Sequence, residues 1–149
     1  MRDLGLTIFI DGASRGNPGP AGIGVAVFDP KGESLAEESA YIGRATNNVA
    51  EYRALIQALE TAIEMRASRV IIMTDSELLY RQMRGLYRVR DAKLVSLFRQ
   101  AVSLAKEFQE FQLRRIPRGE NKKADSLANY ALDQSSSREM NPGEGEVYS

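Results

Sequence analysis

The chain has 149 residues, 43% of them apolar and 27% charged, close to globular averages and long enough for one domain with its own core. It carries 20 basic and 20 acidic side chains and no Cys or His, which excludes disulfides, catalytic thiols, zinc fingers and Ser-His-Asp triads. Any metal must be held by oxygen, which points to hard divalent cations, and the zero net charge taken alone argues against a nucleic-acid-binding domain.

The longest apolar stretch, residues 21–28, is too short to span a bilayer, and Gly5, Thr7 and then Asp11 interrupt any signal-like segment, so a cytoplasmic protein is expected. Residues 6–13 alternate, with Leu6, Ile8 and Ile10 on one face and Thr7, Phe9 and Asp11 on the other. This predicts a strand with an acid where an apolar residue would sit. Residues 14–21 (SRGNPGPA) are dense in Gly, Pro and Asn and predict a loop; 22–29 follow as a second strand, 30–32 as a turn and 34–42 as a third strand. Their short connections imply an antiparallel meander. From Thr46 the period becomes helical, with Tyr52, Leu55, Ile56, Leu59, Ala62 and Ile63 in one stripe, and Thr46 or Asn47 available as cap. Residues 70–73 (VIIM) read as a strand buried on both faces, ending at Thr74-Asp75-Ser76. Then come a short helix over 77–83, a basic connection, a helix over 92–108, a strand over 111–116, a loop over 117–120 and a helix over 121–134. Periodicity stops at Ser135, so 1–134 is read as one domain and 135–149 as a disordered tail. The order βββ, α, β, αα, β, α predicts an α/β protein, one mixed sheet with helices on its faces.

Four acids stand in contexts unsuited to a solvated charge. Asp11 interrupts an apolar strand, and Asp75 ends a buried one at the carboxyl edge, where ligand sites of α/β sheets gather. Glu51 shares its helical direction with Leu55 and Ala62, and Asp125 lies on one flank of the last helix with Ala128 and Leu132. Taken singly, each has an ordinary explanation: the helix macrodipole for Glu51, a cap for Asp75, salt bridges for Asp11 and Asp125. Together they form a group of interior carboxylates that needs a compensating cation. Metal-assisted phosphoryl transfer suits a chain with no His or Cys to offer.

The motifs so assembled resemble the type 1 ribonuclease H family: Asp11-Gly12-Ala13-Ser14, Gly16-Asn17-Pro18-Gly19, Thr46-Asn47-Asn48 with Glu51, Thr74-Asp75-Ser76, and Asn121-x-x-Ala124-Asp125-x-Leu127-Ala128, in order across residues 5–134. The resemblance implies a ribonuclease H-like fold: a five-stranded mixed sheet, three strands antiparallel and then two parallel, with helices on both faces. It also implies a metal-dependent endoribonuclease that hydrolyses the RNA strand of RNA–DNA hybrids, leaving 5′-phosphate and 3′-hydroxyl ends. By resemblance Asp11 would bridge two Mg²⁺ ions, with Mn²⁺ as a substitute, Glu51 and Asp75 would complete one metal shell, and Asp125 would help hold the other. Asn17, Asn47, Asn48 and the backbone around Gly12, Ser14 and Ser76 match family positions beside the RNA minor groove, where the 2′-hydroxyl separates RNA from DNA. Arg44 and Thr46 match a pocket for a DNA-strand phosphate. Ordinary turn and cap chemistry is the alternative for these residues.

Two departures from the family are visible. Arg81, Arg84, Arg88, Arg90 and Lys93 form a basic run with Tyr80 and Tyr87 interleaved, but the chain between Asp75 and residue 92 is too short for the additional helix and basic protrusion of many members. Arg88, Arg90 and Lys93 are expected to bind duplex backbone in its place, a solvated face being the alternative. The loop that carries a His in many members reads Pro117-Arg118-Gly119-Glu120 here, so Arg118 or Glu120 is expected to assist instead. A non-catalytic hybrid- or RNA-binding module and a DNA-directed nuclease of the same fold are the competing readings. The carboxylates speak against a mere binder, which gains nothing from negative charge beside phosphates. The expected partner is a hybrid duplex, with double-stranded RNA as a second candidate; no membrane is involved, and a monomer is the default.

Neutrality conceals an uneven distribution. Residues 1–75 hold 7 basic and 10 acidic side chains, residues 76–123 hold 12 and 5, and residues 124–149 hold 1 and 5. With metal on the carboxylates, the folded domain would face its substrate as a cation.

Overall fold

The alternation of the first segment is realised as β1 (Gly5–Ser14), the middle strand of five in the computed structural model, which describes residues 3–139. β1 pairs antiparallel with β2 (Gly19–Phe28), and β2 pairs antiparallel with β3 (Ser34–Ala45). On its other side β1 pairs parallel with β4 (Arg69–Thr74), and β4 pairs parallel with β5 (Glu110–Arg115). The resulting order is β3-β2-β1-β4-β5, the expected mixed sheet.

Period-two patterning decides which helix covers which face. Leu6, Ile8 and Ile10 turn to one side, where helix α1 (Asn47–Glu64) lies against β1 and β2 and is backed by α3 (Ala92–Ala105). Tyr52, Leu55 and Leu59 of α1 and Val70 and Ile72 of β4 are fully buried in this layer, which supplies most of the apolar burial. Asp11 and Gly24, register partners, turn to the opposite side, where α4 (Lys122–Glu139) crosses β2, β1 and β3. Helix α2 (Glu77–Met83) leaves the end of β4 and packs beside β5.

Both helices approach the sheet closely because glycine removes the side chain between them. A Cβ on Gly12 would lie 2.3 Å from the Ala50 carbonyl carbon of α1, and one on Gly24 would lie 2.1 Å from the Ala124 carbonyl oxygen of α4. Capping sets the starts of the helices: Thr46 Oγ1 accepts from Val49 N, Ser76 Oγ from Leu79 N, and Asp91 from Lys93 N and Leu94 N.

Several boundaries differ from the sequence reading. The loop expected over 14–21 shrinks to residues 15–18, because Ser14 pairs with Ala21 and Gly19 with Ala45, so the ladder overrides the Gly/Pro composition. For the same reason β3 runs three residues past Ile42 to Ala45. Helix α3 ends at Ala105 rather than residue 108, and Phe108 folds back into the core. The loop over 117–120 contains a turn of 3₁₀-helix, Arg118–Glu120. Helix α4 continues to Glu139, five residues beyond the expected end at residue 134, since no Gly or Pro intervenes before Pro142. The rest of the expected tail, 140–149, lies outside the described residues.

Adding one methyl group at Gly24 forces two backbones apart. Gly24→Ala should lower unfolding stability by about 1–3 kcal/mol, whereas Gly119→Ala, where no heavy atom lies within 4 Å of the added Cβ, should leave the thermal midpoint unchanged. Equal midpoints for the two variants in a thermal melt would refute the close-contact account.

Candidate active site

Three carboxylates meet at the carboxyl edge of β1 and β4. Asp11 comes from β1, Glu51 from the second turn of α1 and Asp75 from the residue after β4; one oxygen from each lies within 4.8 Å of the others. Asp11 and Glu51 are 6% and 5% exposed, so water does little to separate their charges. Glu51 is fixed by the Gly12 N–H, which donates to its Oε1 at 2.7 Å. The glycine that admits α1 to the sheet therefore also orients this carboxylate.

Asp125 stands outside this trio, on α4, yet close enough to Asp11 to raise its proton affinity. Burial, then the charge of Asp75, then Asp125 push the Asp11 carboxyl up to about 8 from its ordinary 3.8. Burial and the charge of Asp11 likewise hold Glu51 well above the usual carboxylate range, against the opposing Gly12 hydrogen bond. Arg118, from the loop after β5, lowers both, so its charge reaches the site. Glu120, at the far end of that short turn, is exposed and perturbs neither carboxyl.

Two residues to which the sequence reading gave no role hold the site together. Asn121, 1% exposed, donates from Nδ2 to the Ile10 carbonyl at 2.8 Å and to Asp75 Oδ2 at 3.0 Å, tying the carboxylate after β4 to the backbone of β1. Asn129 donates to the backbone carbonyl and Oδ1 of Asp125 at 3.0 and 3.2 Å. The spacing of four between Asp125 and Asn129 is a legible helix-face signal. Asn121 stands in the family motif, but nothing local in the sequence shows its partners on β1 and after β4.

Beside the carboxylates, one hydrogen-bonded corner joins the candidate recognition residues. Asn47 N donates to Asn17 Oδ1 at 3.0 Å, Asn47 Oδ1 accepts from Ser14 N at 3.1 Å, and Ser14 Oγ donates to the Ala45 carbonyl at 2.7 Å. Asn17, Asn47 and Asn48 are exposed there, and Ser76 caps α2 beside Asp75. Arg44 and Thr46 line a separate cleft of about 550 Å³ with Arg53 and Lys93. Lys93 thus leaves the basic run to join this cleft, while Arg88 and Arg90 remain exposed in the connection between α2 and α3, which contains no helix.

Comparison with known proteins places this geometry in context. A family model described as "Reverse transcriptase-like" matches residues 9–131. The "Bifunctional protein Rv2228c" of Mycobacterium tuberculosis is 45% identical over 129 residues, which are 86% of this chain but 35% of that protein. Ribonuclease HI of Halobacterium salinarum is 42% identical over 125 residues, 84% of this chain and 63% of the relative. The chain therefore spans between about one third and two thirds of these relatives. The crystal structure of ribonuclease H1 from the same archaeon superposes with a TM-score of 0.85 at 41% identity, covering 87% of this chain and 98% of that one. LC11-RNase H1, solved in complex with an RNA/DNA hybrid, gives 0.82 at 45% identity, with 87% and 98% covered.

The crowding of acids makes a signed prediction for the metal-free protein. Because Asp11 binds its proton up to about pH 8 when folded but only to about pH 4 when unfolded, the folded state holds more protons between these limits, and stability falls as pH rises through them. In chelator, Asp11→Asn should therefore melt above the parent at pH 8, with the gap closing towards pH 4. Millimolar Mg²⁺ should raise the midpoint of the parent more than that of the variant. A pH-independent gap would reject this description of the site.

Proposed function

The chain belongs to the Reverse transcriptase-like family and, within it, to the type 1 ribonucleases H, and from that premise we propose that it is a metal-dependent endonuclease that hydrolyses the RNA strand of RNA–DNA hybrids, leaving 5′-phosphate and 3′-hydroxyl ends. The observation that carries this reading is the convergence of Asp11, Glu51 and Asp75, with Asp125 adjoining. Their donors are all oxygen, and among the described residues no basic side chain pairs with them, so the set fits a hard divalent cation. The four carboxylates would hold two Mg²⁺ ions, with Mn²⁺ as a substitute. When bound, such a pair acidifies a water and neutralises charge on a leaving oxygen.

The chain's own residues account for the remaining requirements. Gly12 N–H, Asn121 and Asn129 hold Glu51, Asp75 and Asp125 in place before any substrate arrives, so little reorganisation is needed. Asn17, Asn47 and Asn48, with the backbone at Gly12, Ser14 and Ser76, present amides and peptide groups suited to 2′-hydroxyls. Arg44, Thr46, Arg53 and Lys93 form a cationic cleft for a phosphate of the DNA strand. Arg88 and Arg90 extend the same field along the duplex. Arg118, whose charge reaches Asp11 and Glu51, is the residue assigned to the role of the missing loop histidine, ahead of Glu120. The relative solved with an RNA/DNA hybrid supports this substrate class. Double-stranded RNA is a second candidate substrate, and the protein is read as a cytoplasmic monomer.

A labelled substrate panel tests the reading. Hybrid should be cut with Mg²⁺ or Mn²⁺, double-stranded DNA and single-stranded RNA should not, and chelator should stop the reaction. Asp11→Asn and Asp75→Asn should each cost about 100-fold or more in rate, the equivalent of several kcal/mol of metal-assisted stabilisation. Arg118→Ala should slow turnover while keeping the metal requirement. No metal-dependent cleavage of hybrid, or full activity in either Asp variant, would overturn it.

Charge placement is tested separately. Reversing Arg88, Arg90 and Lys93 to Glu should weaken hybrid binding and make its salt dependence shallower by up to about 2.7 in log–log slope. An unchanged slope would return all three to the solvated surface.

A further inference from the structure

A second cationic cleft lies on the other flank of the carboxylates, and the proposed chemistry leaves it unused. Strand β5 is an edge of the sheet, and Phe111, Leu113 and Arg115 alternate onto the side where α2 packs. Between β5 and α2 opens a cleft of about 620 Å³ whose apolar lining is Tyr80, Met83 and Phe111, with the nearly buried Leu113 beneath. Arg84 and Arg115 also line it, and Arg114 borders it from the other face of this edge strand, where it bonds Gln112. The Arg84 guanidinium lies over the Tyr80 ring at 5.4 Å and donates to the Tyr80 hydroxyl at 3.0 Å. Arg114 donates twice to the neutral Gln112 amide oxygen, at 3.2 and 2.8 Å. Among the described residues neither Arg84 nor Arg114 pairs with a carboxylate; only Arg115 does, sharing Glu77 with Arg81 at 3.6 Å each. Two guanidiniums therefore keep their full charge beside an aromatic and apolar floor.

We propose that this cleft binds an unpaired nucleotide of the substrate, one that flanks the hybrid duplex, with Arg84 and Arg114 on its phosphates and its base against Tyr80 and Phe111. This rests on the ribonuclease reading and deepens it by adding a feature of the substrate. Guanidinium planes and aromatic faces are the components of sequence-tolerant single-strand binding. A base inside a duplex has both faces stacked on its neighbours and cannot use such a floor, so the occupant is an unpaired one. The cleft is also continuous with the reaction centre: Arg115 is the register partner of Thr74, and Asp75 is the next residue. One strand spacing, about 5 Å, separates the two backbones. The Arg44 cleft lies beside β3 at the opposite edge of the sheet, so the two cationic sites bracket the carboxylates.

Fluorescence anisotropy in chelator, where nothing is cut, tests this with two labelled hybrids: one blunt, and one carrying a single-stranded extension on either end of the RNA strand. The parent protein should bind the extended hybrid about tenfold more tightly, the scale of one stacked base with its phosphate contacts. The Arg84→Ala, Arg114→Ala double variant should lose that advantage while its affinity for blunt hybrid, and its cleavage of blunt hybrid in Mg²⁺, stay at the parent level. The salt slope for the extended hybrid should become shallower by about 1.4 in the variant. Equal affinity of the parent for both hybrids would overturn the proposal, as would an equal loss on both hybrids in the variant. It would also fall if an acidic, aromatic peptide bound the parent through these arginines while the extension had no effect, since the cleft would then be a protein-docking groove. Absence of cleavage with the extension preference intact would remove the ribonuclease reading and leave the nucleotide cleft standing.

Discussion

Two backbone-to-backbone contacts govern the rest of this molecule: α1 against β1 at Gly12, and α4 against β2 at Gly24. They lie on opposite faces of the sheet, and Asp11 sits next to the first in sequence and opposite the second in register. Only because both helices come this close can Glu51 reach the Gly12 N–H from one side and Asp125 approach Asp11 from the other. A side chain at either glycine would separate the carboxylates before it disturbed anything else. The apolar layer of Leu55, Leu59, Ile8 and Ile72 supplies burial, but the glycines decide where the acids meet.

The same closeness opposes stability. Buried like charges repel, and the fold answers this with proton uptake and with neutral hydrogen-bond donors rather than with a lysine or arginine in the cluster. A basic residue bonded to Asp11 would relieve the strain and fill the space a divalent cation needs. Arg118 acts from a distance, lowering the proton affinity of Asp11 and Glu51 without hydrogen-bonding to either among the described residues. The site is thus held short of neutrality, which is the condition for binding a hard cation strongly.

What could be read in the sequence follows from how local each cause is. Asp11, Glu51, Asp75 and Asp125 were legible because each breaks the pattern of its own segment, an acid among apolar neighbours or on a core-facing flank. Thr46 was legible as a cap at a change of period, whereas at the next helix the sequence offered Asp75 as cap and the structure uses Ser76. Asn121 was not, because its role depends on Ile10, which is 111 positions away. Nothing local in the sequence shows that α4 crosses the second strand at Gly22 and Gly24. Composition misled at residues 19–21, where Gly and Pro suggested a loop and cross-strand pairing with 43–45 makes a strand. The basic run was visible as charge but not as geometry: Lys93 joins Arg44 and Arg53, Arg84 turns to Tyr80, and Arg88 and Arg90 stay in solvent.

That redistribution changes the meaning of the zero net charge. Residues 76–123 carry 12 basic and 5 acidic side chains, yet these cations do not form one patch. They divide between the α3 side, beside β3, and the α2 side, beside β5, with Asp11, Glu51 and Asp75 gathered between them. A duplex laid across this surface meets positive charge on the α3 flank, its unpaired extension meets the α2 flank, and only the centre is negative, where a cation must come between the carboxylates and a phosphate. Repulsion at the centre is then local and short-ranged, while attraction acts along the whole footprint, so the unneutralised carboxylates cost binding little. An electrically neutral chain can in this way hold a nucleic acid, because the sign of charge varies with position on its surface and not with its sum.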